Sequence, residues 1–310
     1  MIVFFTAVMI LDGWMDGSLT PTPAKRLTAE HAASPEKQLD IKIKNSAVSA
    51  NSAVKKPVQG TVLCTFIVLL MIPAQLELSK LASTKELKIF LPVSIVASIL
   101  VGTSWYWSQL VVRQDVIAGS PRIYLFLLSA FVLLTLLLYQ YIHYGTSSVL
   151  ANCGANCFSI CYLGLLSSFV LGIRIDFGLW PVLMFVFVVK SADIGAYAIG
   201  SLFGRHKFSP KISPAKTWEG MAGAVAAAVI VAVAFAVICD IMVLWLAVIF
   251  GICFAFIGQM GDLVESMLKR DAAQKDSADK VPGFGGILDI IDSPLLAAPF
   301  AYLFFMCLVR

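Results

Sequence analysis

Long apolar runs separated by polar connections form the main pattern along this chain. Nine runs are candidates for membrane spans, at roughly residues 1–15, 60–78, 88–108, 122–142, 149–172, 178–201, 219–239, 241–260 and 287–308. A helix needs about 20 predominantly apolar residues to cross the hydrocarbon core of a bilayer. Most of these runs are apolar on all sides rather than alternating, which favours helices over the strands of a β-barrel. The pattern predicts an all-α, polytopic integral membrane protein of about nine transmembrane helices.

The composition supports this class. Of the 310 residues, 59% are hydrophobic and 14% are charged, and the mean hydropathy is +0.87. A soluble domain of this length carries about 25% charged residues. A soluble all-α protein is therefore a poor alternative.

Changes in polarity divide the chain into three regions. Residues 1–59 contain a short first span, interrupted by Asp12, and a polar segment that we expect to be flexible and to carry no chemistry. Residues 60–175 contain the middle transmembrane helices. Residues 176–310 contain the remaining spans and nearly all of the candidate chemistry.

Two polar connections in the last region, 202–218 and 261–286, follow the sixth and eighth spans and should therefore lie on the same face of the membrane. The first is basic, with Arg205, Lys207, Lys211 and Lys216 in a short loop. Basic residues in short loops favour the cytoplasmic side. We therefore expect a protein of the inner (plasma) membrane whose active site faces the cytoplasm. The same count places the basic segment 16–60 outside, so either the first span does not cross or this segment is translocated despite its charge.

The stretch KSADIGAYAIGSLFG, residues 190–204, places two opposite charges at the end of an apolar run. Lys190 and Asp193 are three residues apart, so a helix would place them on one face, where they can pair. The pair is either a structural contact between helices or part of a site. Charged residues in membrane spans more often mark a site.

The stretch GRHKFSPKISPAKTWEG, residues 204–220, interleaves basic residues with hydroxyl side chains and turn-forming prolines. Ammonium groups, hydroxyls and exposed backbone N–H groups together suit a polyphosphate. A basic loop that touches anionic lipid headgroups is the simpler alternative. Thr217 is a predicted N-cap for the helix that follows.

The stretch GDLVESMLKRDAAQKDSADKVPGFGGILDIIDS, residues 261–293, is the most charged part of the last region. Asp262, Asp276, Asp289 and Asp292 surround Lys269, Arg270 and Lys275. Carboxylate and phosphate oxygens are the ligands that Mg²⁺ prefers. Glycines at 283, 285 and 286 let the backbone approach a ligand closely and begin a new helix. The pattern predicts a site for a complex of Mg²⁺ with a nucleotide.

This last stretch resembles the signature of phosphatidate cytidylyltransferases, which are also called CDP-diacylglycerol synthases. That signature runs Ser-x-x-Lys-Arg, Lys-Asp, Pro-Gly-His-Gly-Gly and Asp-Arg-x-Asp. The matching residues are Ser266, Lys269, Arg270, Lys275, Asp276, Pro282, Gly283, Gly285, Gly286, Asp289 and Asp292. SADIGAYAIG and SPKISPAKTWEG are similar to the family too. The chain departs from the signature at Phe284, where the family has histidine, and at Ile290, where it has arginine.

The resemblance implies that the protein converts CTP and phosphatidic acid into CDP-diacylglycerol and pyrophosphate. It implies Mg²⁺ bound by Asp262 and Asp289, and a catalytic set of Asp289, Asp292, Lys275 and Asp276. The substrate-binding residues would be Lys207, Lys211, Ser213, Lys216, Lys269, Arg270, Gly285 and Gly286.

The expected partners are the two substrates and membrane lipids, not nucleic acid, and a homodimer is left open. Two alternatives remain. One is an enzyme similar to CTP-dependent polyprenol kinases. The other is a membrane paralogue that lost its catalytic function with the residues at 284 and 290.

Overall fold

The computed structural model describes residues 2–17, 58–113, 121–210, 212–272 and 286–309. Within these ranges the chain forms eleven α-helices, one π-helical turn and one short hairpin. In chain order the helices are α1 (Ile2–Met15), α2 (Thr61–Ser83), α3 (Leu91–Gly102), α4 (Ser104–Arg113), α5 (Pro121–Tyr144), α6 (Val149–Ser159), α7 (Leu166–Phe177), α8 (Leu179–Phe203), α9 (Trp218–Cys239), α10 (Leu244–Asp271) and α11 (Leu288–Leu308). The π turn is Ile160–Leu165, and the antiparallel hairpin is formed by β1 (Lys207–Ser209) and β2 (Ser213–Thr217). The predicted all-α class is confirmed.

The described residues contain seven helical stretches that are long and apolar enough to cross a membrane. Helices α3 and α4 meet at an angle of 58° and make an eighth span if they are taken together. Helix α1 has 14 residues, or about 21 Å, and is shorter than the roughly 30 Å bilayer core. The predicted count of nine is therefore not confirmed.

Helices α8 and α9 pack closely because small residues line their contact. A Cβ atom on Gly195 would lie 2.5 Å from the carbonyl oxygen of Gly223, so neither helix could approach this way with a larger residue. Ala224, Ala228 and Ala232 follow at intervals of four residues on α9 and are fully buried. Small residues at this spacing allow transmembrane backbones to meet.

One end of the bundle, here called the charged end, brings together the parts of the chain that carry the candidate chemistry. Lys216 of the hairpin reaches α10, where its Nζ lies 3.0 Å from the Gln259 carbonyl oxygen. Glu77, near the end of α2, accepts hydrogen bonds from the first residues of α11. The hairpin and the start of α11 therefore lie on the same face, and these described parts of the connections 202–218 and 261–286 agree with the prediction.

The opposite end holds a buried ion-pair network that attaches α1 to the bundle. Arg174 of α7 is fully buried and donates to Asp12 at 2.7 Å, and it also pairs with Asp16. Asp12 accepts a 2.8 Å hydrogen bond from the Val62 backbone N–H at the start of α2. Asp12, which interrupts the first apolar run, therefore helps to fix α1 in place together with Asp16.

Candidate functional site

Three acidic side chains converge on one buried hydroxyl where α8, α10 and α11 meet. The Ser293 Oγ lies 3.2 Å from Asp193 Oδ2 and 3.2 Å from Asp292 Oδ1, and it also donates to Asp262. A hydroxyl has a single proton, so it can donate to only one of these acceptors at a time. The carboxylates that do not receive this proton repel one another, so they need positive charge nearby.

Two lysines provide part of that positive charge. Lys190 Nζ lies 3.0 Å from Asp193 Oδ2, which confirms the predicted pairing within α8. Lys216 Nζ lies 3.1 Å from Asp262 Oδ2. Gln259 joins the group by donating to Asp193 Oδ1 at 3.3 Å. We call this group the inner cluster; its members are Lys190, Asp193, Lys216, Gln259, Asp262, Asp292 and Ser293.

A second group, the outer cluster, consists of Glu265, Lys269 and Asp289. Lys269 Nζ lies 2.5 Å from Asp289 Oδ1 and 3.0 Å from Glu265 Oε1. Glu265 also interacts with Asp292, so its buried carboxyl links the outer cluster to the inner one. The two clusters form one continuous charged region.

The local folding of the hairpin and of α9 directs Lys216 into this region. Thr217 has extended backbone angles and its Oγ1 accepts a 3.1 Å hydrogen bond from the Gly220 N–H. This is the predicted N-cap. Strand β2 ends at Thr217, and α9 begins at the next residue, Trp218. Lys216 therefore precedes the helix at a fixed position and reaches α10.

A glycine permits the approach of α10 to α11 beside the inner cluster. A Cβ atom on Gly261 would lie 2.8 Å from Ser293 Cα and 3.0 Å from the Asp292 carbonyl oxygen. Any larger residue would push the two helices apart. Gly261 thus brings its neighbour Asp262 within reach of Ser293.

The start of α11 is held by an acidic residue from a distant helix. Glu77 Oε1 accepts from the Ile287 N–H at 3.0 Å, and Oε2 accepts from the Leu288 N–H at 2.9 Å. In addition, the Gly286 N–H donates to Asp289 Oδ2 at 3.2 Å. The first N–H groups of a helix lack partners within the helix, so these carboxylates satisfy them and fix the direction of α11.

A cavity of about 230 Å³ opens between the hairpin and helices α8, α9 and α10. Its lining combines charged groups, Asp193, Lys216 and Asp262, with the aromatic side chains of Tyr197 and Phe208. Ser213 and Thr217 add hydroxyls. Charged groups beside aromatic surface suit a ligand that has both phosphates and a ring.

The predicted site residues are distributed unevenly over these features. The inner cluster contains three of them, Asp262, Asp292 and Lys216, and the outer cluster contains Lys269 and Asp289. The cavity is lined by Ser213, and Gly286 lies just before α11. Lys207 is exposed on β1, and Arg270 is exposed with its Nε 3.4 Å from the Ile212 carbonyl oxygen. Lys211, Lys275, Asp276 and Gly285 lie outside the described residues.

Lys190 and Asp193, which the sequence left as either a structural pair or part of a site, belong to the candidate site. Four further residues that the prediction did not include join them: Glu77, Gln259, Glu265 and Ser293. Glu77 could have been noticed as an acidic residue within an apolar run, and Glu265 as part of GDLVES. Ser293 and Gln259 carry no such signal, because single uncharged polar residues are common in membrane helices.

The arrangement of the carboxylates shows how far the described residues fit the predicted Mg²⁺ ion. Among the described residues, no three His, Cys, Asp or Glu side chains are positioned as ligands of one ion. Asp262 and Asp289 lie in different clusters, each against a lysine. The two clusters nevertheless contain five carboxyl groups and three ammonium groups, which leaves two negative charges if all are ionised. Oxygen donors with this net charge fit a divalent cation such as Mg²⁺.

Comparison with known proteins places this chain in a family. The family model described as "Cytidylyltransferase family" matches residues 54–308. The chain is 33% identical over 240 residues to a phosphatidate cytidylyltransferase of Bacillus subtilis, an alignment that covers 76% of this chain and 87% of the relative.

Other relatives match over shorter lengths. A phosphatidate cytidylyltransferase of Staphylococcus saprophyticus is 42% identical over 142 residues, covering 46% of this chain and 54% of the relative. One from Haemophilus influenzae is 40% identical over 134 residues, covering 41% and 46%. The family match extends over most of the chain and includes both charged clusters. This protein belongs to the cytidylyltransferase family.

Proposed function

We propose that this protein transfers a cytidylyl group from CTP to phosphatidate and forms CDP-diacylglycerol and pyrophosphate. The observation that carries the proposal is the convergence of three lysines and five carboxyl groups at one end of a membrane bundle. Family membership and relatives that are named phosphatidate cytidylyltransferase support it. A lipid phosphate and a water-soluble nucleotide can meet at such a place, since the acyl chains remain in the bilayer.

The reaction is a displacement at phosphorus. A phosphate oxygen of phosphatidate attacks the α-phosphorus of CTP, a new P–O bond forms, and the bond from the α-phosphorus to the bridging oxygen of pyrophosphate breaks. No proton must be removed from the nucleophile, because a phosphate monoester is already an anion near neutral pH. Catalysis then depends mainly on positioning and on neutralising charge.

The residues of the chain can serve these two needs. Lys216 lines the cavity, and Lys190 lies in the inner cluster against Asp193, which also lines the cavity. Both ammonium groups can bind phosphate oxygens as point charges. Lys269 can do the same at the outer cluster. Asp193 and Asp262 hold the two inner lysines in place, so that the ammonium groups are oriented before the substrates arrive.

We propose Mg²⁺ as the cofactor. Asp262 remains the first candidate ligand, Asp193 and Asp292 are beside it around Ser293, and Asp289 can contribute from the outer cluster. The ion would neutralise phosphate charge and stabilise the leaving pyrophosphate.

We further propose that the charged end faces the cytoplasm of a cell with this protein in its inner (plasma) membrane, because CTP is a cytoplasmic metabolite and the hairpin is basic.

The direct test is turnover by the purified protein in mixed micelles with CTP, phosphatidate and Mg²⁺. The expected products are CDP-diacylglycerol and pyrophosphate, and a chelator should stop their formation. Release of CDP with phosphorylation of a polyprenol would favour the lipid kinase instead. A folded protein that binds CTP and turns over neither lipid would establish the inactive paralogue.

A further inference from the structure

An apolar cavity of about 350 Å³ lies beside the charged clusters, among α1, α2, α7, α8 and α11. Among the described residues that line it, Ser167 alone has a polar side chain. The volume is at the lower end of the roughly 300–1,000 Å³ that small-molecule sites occupy. Apolar cavities of this kind accept apolar groups rather than water.

The first two turns of α11 separate this cavity from the charged region. Asp289 and Asp292 belong to the charged clusters, whereas Ile290, Ile291 and Pro294 line the cavity. The two regions are thus separated by about the width of one helix, roughly 10 Å. A single ligand with a charged group and an apolar chain could occupy both.

Helix α2 shows how the cavity is oriented. Glu77 caps α11 at the charged end, while Leu70 and Phe66 line the cavity seven and eleven residues earlier. At 1.5 Å per residue these positions lie about 10 and 16 Å farther along the helix. The cavity therefore extends from the charged end toward the middle of the bundle.

We propose that this cavity binds one acyl chain of the phosphatidate substrate while the phosphate group lies at the charged clusters. The proposal rests on the proposed function. Phosphatidate carries its phosphate and its acyl chains in one molecule, which matches the juxtaposition of a charged region and an apolar cavity. The slender shape of an acyl chain also suits an apolar space between five helices better than a protein segment does.

Ile290 acquires a role in this arrangement. The family signature has arginine at this position, and the sequence alone indicates only that a cation has been lost. In the structure Ile290 is part of the cavity wall. A guanidinium group placed against these apolar side chains would be costly to bury. Ile290 is therefore a specificity residue that keeps the wall apolar next to Asp289.

Photolabelling tests where the acyl chain lies, whether or not the protein turns over. The probe is phosphatidate with a diazirine at the end of one acyl chain, and the labelled peptides are identified by mass spectrometry. Label is expected within residues 61–71 of α2 and 287–295 of α11. Labelling confined to lipid-facing helices such as α5 would overturn the proposal.

Adjacent leucines on α2 provide a matched pair of variants. Leu70 lines the cavity, whereas Leu69 is 63% exposed on the lipid-facing surface. Leu70→Trp should fill the cavity and lower photolabelling at least about fivefold, and Leu69→Trp should leave it unchanged. Equal labelling of both variants, with both folded, would contradict the assignment.

Turnover gives a second readout. Leu70→Trp should reduce kcat/KM for a long-chain phosphatidate about tenfold or more, with little change for dihexanoyl phosphatidate or in the KM for CTP. An equal loss with both lipids would mean that the cavity does not select the acyl chain. Absence of turnover in the unaltered protein would instead refute the proposed function and leave the labelling result to decide on the cavity.

Discussion

At the scale of single residues, the charged side chains of the site act in groups. Each carboxylate of the clusters lies against an ammonium group or a hydroxyl, and Ser293 is shared by three of them. Charges in a membrane bundle are expensive and need such partners. Replacing one member should therefore change both the charge that faces the substrates and the position of its neighbours.

Asp289→Asn tests the acidic residue of the outer cluster that we propose for metal binding. The change removes a charge with little change in shape, so we expect kcat to fall about 100-fold or more while the protein stays folded in detergent. Asp240→Asn is the control, because Asp240 is exposed after α9 and asparagine tolerates its left-handed backbone. Turnover of Asp289→Asn within a few-fold of the unaltered protein would refute the role.

Lys216→Ala and Lys207→Ala compare two lysines of the hairpin that the sequence equally predicts to bind substrate. Lys216 contacts Asp262, whereas Lys207 is exposed on β1. We expect the first change to lower kcat/KM for CTP about 10- to 100-fold, since it removes a phosphate contact, and the second to alter it less than about threefold. Steady-state kinetics over a range of CTP concentrations measure both, and similar small effects would mean that the hairpin touches only headgroups.

At the scale of elements, the site depends on how three helix segments meet. The hairpin delivers a lysine to α10, Gly261 lets α10 approach α11, and Glu77 of α2 fixes the start of α11. Of these residues, Gly261 and Glu77 do not contact the substrates in the proposed arrangement. Their disruption should nevertheless affect turnover, because catalysis by positioning is sensitive to small displacements.

Glu77→Ala tests the cap of α11. Two backbone N–H groups would lose their acceptor, which should lower the free energy of unfolding by about 1–3 kcal/mol and reduce turnover. Lys80→Ala on the exposed side of the same helix should change neither. Thermal unfolding in one detergent compares the two variants, and an unchanged Tm for Glu77→Ala would show that the cap is dispensable.

Gly261→Ala and Gly258→Ala form a matched pair on α10. A Cβ at 261 meets backbone of α11 at 2.8 Å, whereas a Cβ at 258 meets only a Val189 side-chain methyl at 3.2 Å. Overpacking against backbone typically costs about 1–3 kcal/mol, so Gly261→Ala should lose stability and most of its turnover. Gly258→Ala should retain both, because the valine side chain can shift. Equal retention by the two variants would argue against a constrained approach at Gly261.

At the scale of the whole molecule, the bundle has two ends of different character. The charged end collects the hairpin, both clusters and the start of α11, and the opposite end holds the buried Arg174 network that attaches α1. The apolar cavity lies among the helices beside the charged region. This polarity is what a reaction between a soluble nucleotide and a membrane lipid requires.

The proposed orientation can be tested with single cysteines in a background that lacks the seven native ones. A cysteine at position 207 should react with a membrane-impermeant maleimide only in inside-out vesicles. A cysteine at position 240, after α9, should react only in right-side-out vesicles. The reverse pattern would place the charged end outside the cell.

The sequence by itself determined the class of the protein and indicated most residues of the candidate site. Apolar runs of about 20 residues are a local property, and so are the motif spacings that identified Asp262, Lys269, Asp289 and Asp292. The count of spans differs, because the short first run forms a helix of only 14 residues and because the sequence does not show the bend between α3 and α4.

The tertiary structure alone decided which of these residues meet. Lys216 and Asp262 are 46 positions apart, and Glu77 and Leu288 are 211 apart. Contacts of this kind depend on how helices pack, which no local pattern encodes. The same reason explains why the sequence showed Ile290 only as a departure from a motif, whereas the packed bundle makes it a wall of the apolar cavity.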